Sequence, residues 1–357
     1  MTDIGVTDAE LRHALNIIKS MDKSDHTTAY GRASFSCGFF SKNTKRRVQF
    51  SDYEKLNLQR HDALFLVTDD ANEFGIKKSF SNAILPSKSQ WDLFRNKSKT
   101  IEFAKKVGVP VPKTESVTTY RDDFSYPVFL KPAYSSGSRG SRLVTNRLEM
   151  KKVLPKLLTT HKKILIQEFI RKKGTVGVEM LWHKGKLKGL FQHRRIREYP
   201  AKGGPSTLRV SVKYKKTKEL GKKLMKAAKW NGVAMAEFAL TNKGPVLFEV
   251  NPRWWGSLAL PIKAGMDFPR LYRDLVINGD VKPVTDYESN VLCKYFAFGD
   301  VMHFVQKKNP IGFIGSLFET RNFDILSLTD PLPGISRFFF SFELLFNRSL
   351  RRRYLIR

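Results

Sequence analysis

Two strand-like segments near residue 240 constrain this chain more than any other feature. MAEFAL (235–240) and VLFEV (246–250) flank Asn242-Lys243-Gly244, a three-residue hairpin loop with glycine where a positive φ is needed. That loop pairs Glu237 directly opposite Glu249, with Asn251 two residues along on the same face. Carboxylates held face to face repel, and Met235, Ala239, Leu247 and Phe248 give them apolar rather than cationic company. The pattern asks for a positive charge between them. Two carboxylates and an amide oxygen form a hard-oxygen set suited to Mg²⁺, with phosphate oxygens and water completing the shell. A solvent-facing acidic patch in a different loop register has the same spacing.

A source of phosphate contacts lies upstream. Phe129-Leu130-Lys131 ends a strand immediately before PAYSSGSRG, whose Gly and Ser backbone N–H groups can close over phosphate oxygens. This is not a Walker A loop, since no Gly-Lys-Ser/Thr follows and no helix opens there. By itself the string also describes an ordinary Gly/Ser-rich surface hairpin.

Residues 4–8, 26–30 and 64–68 read as short strands alternating with helix, a small α/β layer. TDAELRHALNIIKSM predicts a helix with Thr7 or Asp8 as N-cap and Leu11, Leu15 and Ile18 on one face. No GxGxxG follows the first strand, so nothing supports a dinucleotide site there. From residue 91, WDLFRNKSKTIEFAKKVGVPVP predicts a helix closed by Gly108, with prolines forcing an extended exit. Beyond it antiparallel hairpins dominate, with one helix over 216–230. The expected division is an N-terminal α/β domain (1–90), a second domain (91–285) and a C-terminal basic and aromatic extension (286–357).

Charge narrows the partners. The 357 residues carry 64 Lys+Arg against 33 Asp+Glu, a formal net charge of +31. Such a surface either faces an anionic partner or is a solvated Lys-rich exterior. No nucleic-acid-binding module or regular aromatic interleaving accompanies the basic residues, which argues against nucleic acid. In 334–357, GISRFFFSFELLFNRSLRRRYLIR, six Arg and five Phe accompany one Glu. That segment suits peripheral contact with an anionic membrane, and equally a helix docked onto the domain by its Phe face. Cys37 and Cys293 are the only cysteines, which excludes a disulfide framework and CxxC zinc sites and fits a reducing cytoplasm. The first residues hold Asp3, Asp8 and Glu10 and no apolar stretch, so no secretory leader is expected, and no run reaches the roughly 18 apolar residues of a membrane-spanning helix.

Taken in order, Asn96-Lys97 at a helix start, GVPVP, FLKP, SSGSRG, IQEF, AEF and FEVNPR resemble the ATP-grasp superfamily over roughly residues 60–280. HRRIREYPAKGGPSTLRVS, FEVNPRWWGS and GMDFPRL add a closer likeness to its ATP-dependent carboligase, carbamoyl-phosphate-synthase-like members. The resemblance implies an α/β (α+β) ATP-grasp fold: a short N-terminal α/β domain, then two α+β subdomains that sandwich ATP, with a small lid subdomain at about 115–170. It implies that Lys97 and Lys131 reach the nucleotide phosphates and that the loop carrying Ser135, Ser136, Gly137 and Ser138 covers them. Gln167, Glu168, Phe169 and Ile170 would border the adenine, with Glu168 accepting from its amino group. Glu237, Glu249 and Asn251 would hold Mg²⁺, for which Mn²⁺ can substitute, and Arg253 would hold the acyl phosphate. Glu179 is the nearest acidic candidate for the ribose hydroxyls.

Arg194, Arg195, Arg197 and Arg209 bracket Gly203-Gly204-Pro205, and clustered guanidiniums suit a carboxylate or phosphate of the second substrate. Arg195, Arg197, Gly204 and Arg209 are therefore the substrate-site candidates, an ordinary basic strand edge being the other reading. The implied activity is ATP-dependent joining of a small-molecule carboxylate to an amine (or thiol) through an acyl phosphate, with ADP and phosphate released. Homodimers are common among such ligases. The competing readings are a carboxyphosphate-forming enzyme and a non-catalytic basic protein on nucleic acid or an anionic membrane surface.

Overall fold

The computed structural model describes residues 1–119, 124–135, 140–201 and 203–354. Expectations placed on Ser136, Gly137 and Ser138 fall outside them.

The N-terminal layer is a parallel sheet. β1 (Asp3–Val6) leads to α1 (Arg12–Ser20), then β2 (His26–Gly31), β3 (Thr44–Gln49) and β4 (Ala63–Phe65), in the spatial order β3-β2-β1-β4. Two details differ from the sequence expectation. The cap of α1 is Leu11, without a side-chain bond. Asp8 instead adopts φ 55° and turns inward to accept from Tyr53 (2.8 Å) and Thr68 (3.0 Å). β3 arises from the charged run TKRRVQ, which survives as a strand because it is an edge exposed along most of its length.

α2 (Asp69–Lys77) is capped by Thr68, and α3 (Lys88–Arg95) opens with a Ser87/Gln90 capping box. The helix expected from residue 91 is broken at Asn96. Its side chain accepts from the N–H groups of Ser98 and Lys99 and so starts α4 (Lys97–Lys106). Gly108, at φ +68°, ends the segment as expected.

A second sheet, antiparallel and ordered β5-β8-β6-β7, is built from β5 (Thr114–Ser116), β6 (Val128–Pro132), β7 (Arg142–Val144) and β8 (Ile164–Glu168). α5 (Arg147–Leu158) packs on it through Met150 and Leu157. The third sheet has six strands ordered β13-β12-β9-β10-β11-β14. These are β9 (Gly174–His183), β10 (Lys186–Glu198), β11 (Ser206–Ser211), β12 (Gly232–Thr241), β13 (Gly244–Asn251) and β14 (Leu292–Lys294). α6 (Lys215–Ala227) joins β11 to β12, and α7 (Ala259–Lys263) with α8 (Phe268–Asn278) follows β13. β14 lies within the stretch read from the sequence as an extension, yet it pairs with β11 through Arg209 and Cys293.

Alternation along β9 divides the core. Val176, Val178, Met180 and Trp182 face α6, where Leu224, Trp230 and Phe238 join them. Leu181 points the other way, into a cluster with Ile4, Val6 and Phe65 of the first sheet and with Trp254 and Trp255. The face of β9 that carries Gly177 and Glu179 is therefore the face turned toward the N-terminal layer.

The chain closes with a π-helical turn (Phe296–Asp300), α9 (Val301–Lys307), α10 (Pro310–Ser316), α11 (Leu332–Phe346) and α12 (Arg348–Tyr354). α11 docks on the N-terminal layer. Phe340 and Leu344 pack against Ala33, and Glu343 accepts from the N–H groups of Ser34 (2.9 Å) and Phe35 (3.1 Å). Of the five Phe in 334–357, only Phe340 is buried.

Candidate functional site

The β12–β13 hairpin places Glu237 directly opposite Glu249, by a route different from the one expected. Thr241 pairs with Gly244, so the turn is only Asn242-Lys243, with Gly244 at φ +116°. A bulge then inserts Phe248 between the Phe238/Leu247 and Glu237/Glu249 pairs, which brings the two carboxylates into register. The bulge also sets the Phe248 ring 5.6 Å from the Lys131 ammonium.

Each carboxylate has its own cation. Arg195 of β10 ion-pairs with Glu237 Oε1, and Asn251 Nδ2 donates to Glu237 Oε2 at 3.2 Å. Lys97 Nζ stands 3.3 Å from Glu249 Oε1 and donates to Ser135 Oγ at 3.2 Å. Lys97 owes its position to Asn96, which starts α4 there, and to its own N–H, which donates to Ala133 O at 3.0 Å. Burial pulls the Arg195 guanidinium down, but Glu237 and Glu198 outweigh it and hold the group above its ordinary value.

Lys131, at the end of β6, donates to Gln167 Oε1 at 2.6 Å. Burial lowers its pKa to about 8; Glu249 counteracts this, while Lys97 and Lys172 push it further down. Gln167 is fixed from behind by Thr114, 2.9 Å away. Lys172, which the sequence reading passed over, donates to Thr175 (2.8 Å) and faces Glu198 at 3.4 Å. Its signal was no more than one member of an Arg-Lys-Lys run.

At the end of β8, Glu168 Oε1 accepts from the Lys113 N–H at 2.9 Å, and the Glu168 N–H donates to Lys113 O at 3.0 Å. Phe169 is exposed beside it, its ring 5.7 Å from Phe129, and Ile170 is half-buried. Arg253 Nη1 donates to Trp254 O (2.7 Å), its Nη2 lies 3.4 Å from Asn251 Oδ1, and its Nε faces Asp69 at 3.3 Å. His13 is a buried neighbour that sequence reasoning missed. Burial, with Arg253 and Arg12 nearby, holds its imidazole well below the usual range, so it is neutral.

Three candidates stand apart from this cluster, and a fourth, Gly204, borders it. Glu179 is fully buried in β9, accepts from Ser257 Oγ at 2.7 Å and lies 3.0 Å from His193 Nδ1. An enclosed carboxylate is not presented to ribose hydroxyls, which corrects that expectation. Arg197 is held by Asp300 (2.7 Å) and Glu319 (2.5 Å). Arg209, fully buried, pairs with Asp324 and lies 3.6 Å from Cys293 Sγ; burial lowers its pKa to about 10. Both guanidiniums thus bind the C-terminal segment to the third sheet rather than standing open to a substrate. Gly204 accepts from Arg195 Nη1 at 3.2 Å, and a Cβ there would sit 2.0 Å from Tyr199 O, so only glycine fits.

The donor set fits a hard divalent cation: two opposed carboxylates and an amide oxygen, whose negative charge is balanced by Lys97 and Arg195. It holds two acidic groups rather than three. No cluster of three or more His, Cys, Asp or Glu suited to a metal occurs among the described residues.

Residues 94–257 match the ATP-grasp domain family. The carbamoyl phosphate synthase large chain of Campylobacter jejuni is 25% identical over 209 residues, 54% of this chain and 19% of that one. This chain thus spans about a fifth of that relative's length. Among solved structures, the biotin carboxylase complex from Campylobacter jejuni superposes with a TM-score of 0.65 at 18% identity, covering 82% of this chain and 74% of that one. The N5-carboxyaminoimidazole synthetase of Staphylococcus aureus in complex with ADP gives 0.62 at 16%, covering 81% and 80%. The segment 94–257, which carries the opposed carboxylate pair of the central sheet and the two lysines reaching it, thus matches the ATP-grasp domain family, and the solved structures share its fold.

Proposed function

We propose that the chain is an ATP-dependent carboxylate–amine ligase. The observation that carries this reading is the convergence of Lys97, Lys131, Arg195 and Arg253 on the Glu237/Glu249/Asn251 set. Four cations around two carboxylates suit a highly anionic ligand bound with a divalent ion, and a triphosphate is such a ligand.

Mg²⁺ held by Glu237, Glu249 and Asn251 would neutralise charge on the β- and γ-phosphates; Mn²⁺ is proposed to substitute. Lys131, largely protonated at pH 7 and enclosed beside Gln167, offers its ammonium to the phosphates. Lys97 ties the same region to the base of the Ser135 loop. A substrate carboxylate oxygen attacks the γ-phosphorus; the P–O bond to ADP breaks as the new P–O bond forms. A neutral amine then attacks the acyl carbon, loses a proton and expels phosphate, while Arg253 stabilises the oxyanion. No side chain of the protein forms a covalent intermediate.

The adenine is assigned to the end of β8 beside Glu168, Phe169 and Ile170, and the acid to the space bounded by Arg195 and Arg253. A second reading, bicarbonate activation to carboxyphosphate, draws on the names of the relatives, a carboxylase and a carbamoyl phosphate synthase. We place the enzyme in the cytoplasm as a homodimer with a peripheral attachment to the inner face of the membrane. ADP release from Mg·ATP, for wild type and Glu249→Gln, with pools of carboxylates and amines or with bicarbonate alone, tests the reading. Stimulation by an acid–amine pool in wild type only supports the ligase. Stimulation by bicarbonate alone favours the second reading, and turnover unaffected by Glu249→Gln refutes both.

A further inference from the structure

Exposed apolar side chains are not spread evenly over this protein. Fifteen of the 24 large ones among the described residues fall between Met302 and Phe346. α11 carries apolar side chains on two sides: its inner side, Phe340 and Leu344, is buried on the N-terminal layer, yet its outer side carries Phe338 (57% exposed), Phe342 (48%) and Phe346 (86%). A helix with this pattern has a second face that needs cover. Nor is α11 loosely attached, since Glu343 is bonded to two backbone N–H groups and Tyr354 of α12 reaches Glu10. The apolar face is thus held outward by a fixed inner one.

The surrounding charge says what kind of cover fits. Lys307, Lys308, Arg321, Arg348, Arg351 and Arg352 are exposed around this region. The acids of the same region are occupied: Asp300, Asp324 and Asp330 are buried, Glu319 is paired with Arg197, and Glu343 is bonded as described. On a chain of net charge +31, two identical copies of such a face would repel. An apolar stripe edged with Arg matches an anionic bilayer, whose acyl boundary takes the Phe side chains while its headgroups take the guanidiniums. Among the described residues no helix is long and apolar enough to cross a membrane, and the proposed contact lies in the interface plane.

We propose that the outward face of α11, with the arginines of α12, binds an anionic lipid surface. This gives the peripheral attachment proposed above its surface. It is independent of the ligase chemistry, so vesicle binding and turnover can fail separately. The same region touches the candidate site, because α9 supports the strand end beyond Arg195 through His303 Nδ1 to Glu198 O (2.7 Å) and Gln306 to the Ala201 N–H (2.9 Å).

The test is flotation of the full chain with phosphatidylcholine vesicles, with and without phosphatidylglycerol, at about 0.05 M and about 0.5 M salt. Binding at least about tenfold stronger to the anionic vesicles, and weakened by salt, is expected. The triple variant Phe338→Ser/Phe342→Ser/Phe346→Ser should lower it about tenfold or more. Arg348→Gln/Arg351→Gln/Arg352→Gln, which leaves the apolar face untouched, should remove the preference for anionic lipid even if the Phe variant folds poorly. Equal binding to both vesicle types, or none, overturns the proposal. So does a dimer in solution that the Phe substitutions disperse, which would make this face a contact between copies.

Discussion

Raising the pH from about 7 to about 9 takes the proton from Lys131 while a lysine with the ordinary pKa keeps its own, because burial has lowered this amine from 10.5 to about 8. The protonated fraction falls from about nine-tenths at pH 7 to about one-tenth at pH 9, given that pKa. If the ammonium must be charged to hold phosphate, the apparent affinity for Mg·ATP falls about tenfold over that range, about 1.4 kcal/mol. Binding near pH 8 then takes up about half a proton, because the triphosphate raises the pKa of the bound amine. Stability runs the other way. The unfolded chain binds more protons than the folded one between about pH 8 and the ordinary lysine value, so this residue's contribution to stability rises with pH across that window. Titration calorimetry in two buffers of different ionisation enthalpy reads both affinity and proton uptake, and Lys131→Gln should abolish the pH dependence. A dissociation constant flat from pH 7 to 9 with no proton uptake would refute the assignment of Lys131 to the phosphates.

Three further outcomes follow from the same geometry. Glu237→Gln should abolish Mg²⁺-dependent ADP release and lower stability by about 1–3 kcal/mol, since the half-buried Arg195 is left with only the more distant carboxylate of Glu198, at 3.5 Å; turnover assays and melting curves read the two effects separately. Arg197→Ala strands the buried Asp300 and releases Glu319, so a loss of about 3–5 kcal/mol is expected, with faster proteolytic nicking of the C-terminal helices than in wild type. The Cys37 thiol, pushed up to about 11 by burial, should resist a thiol-specific reagent at pH 8 until the protein unfolds; rapid labelling of the native protein at Cys37 would contradict that burial.

What the sequence disclosed, and what it hid, follows from how local each signal is. The facing of Glu237 and Glu249 was legible because a short hairpin fixes its own register. The bulge at Phe248 was not, since no local motif marks an extra residue there, and a two-residue turn plus a bulge reaches the same pairing as a three-residue turn. Asp8 was misread as a cap because its inward turn depends on Tyr53 and Thr68, brought near only by the parallel sheet. β3 was missed because TKRRVQ has no apolar alternation, as an exposed edge allows. Arg197 and Arg209 looked like a substrate cluster for want of their partners, Asp300, Glu319 and Asp324, which lie about 100 or more residues later in the chain. Glu179 was a matter of alternation: pairing with Met235 and Phe191 puts it deep in the sheet, where spacing from Glu168 carries no information.

The central claim is that a carboxylate is phosphorylated at the site formed by Glu237, Glu249, Lys97 and Lys131. Carboxylate pools labelled with oxygen-18, incubated with Mg·ATP and amines, test it directly when the released phosphate is analysed by mass spectrometry. An acyl phosphate route transfers one labelled oxygen from the acid to phosphate for each ADP formed, and Glu249→Gln abolishes the transfer. Phosphate that carries no label while ADP accumulates would mean that water, not a carboxylate, receives the phosphoryl group, and would contradict the account.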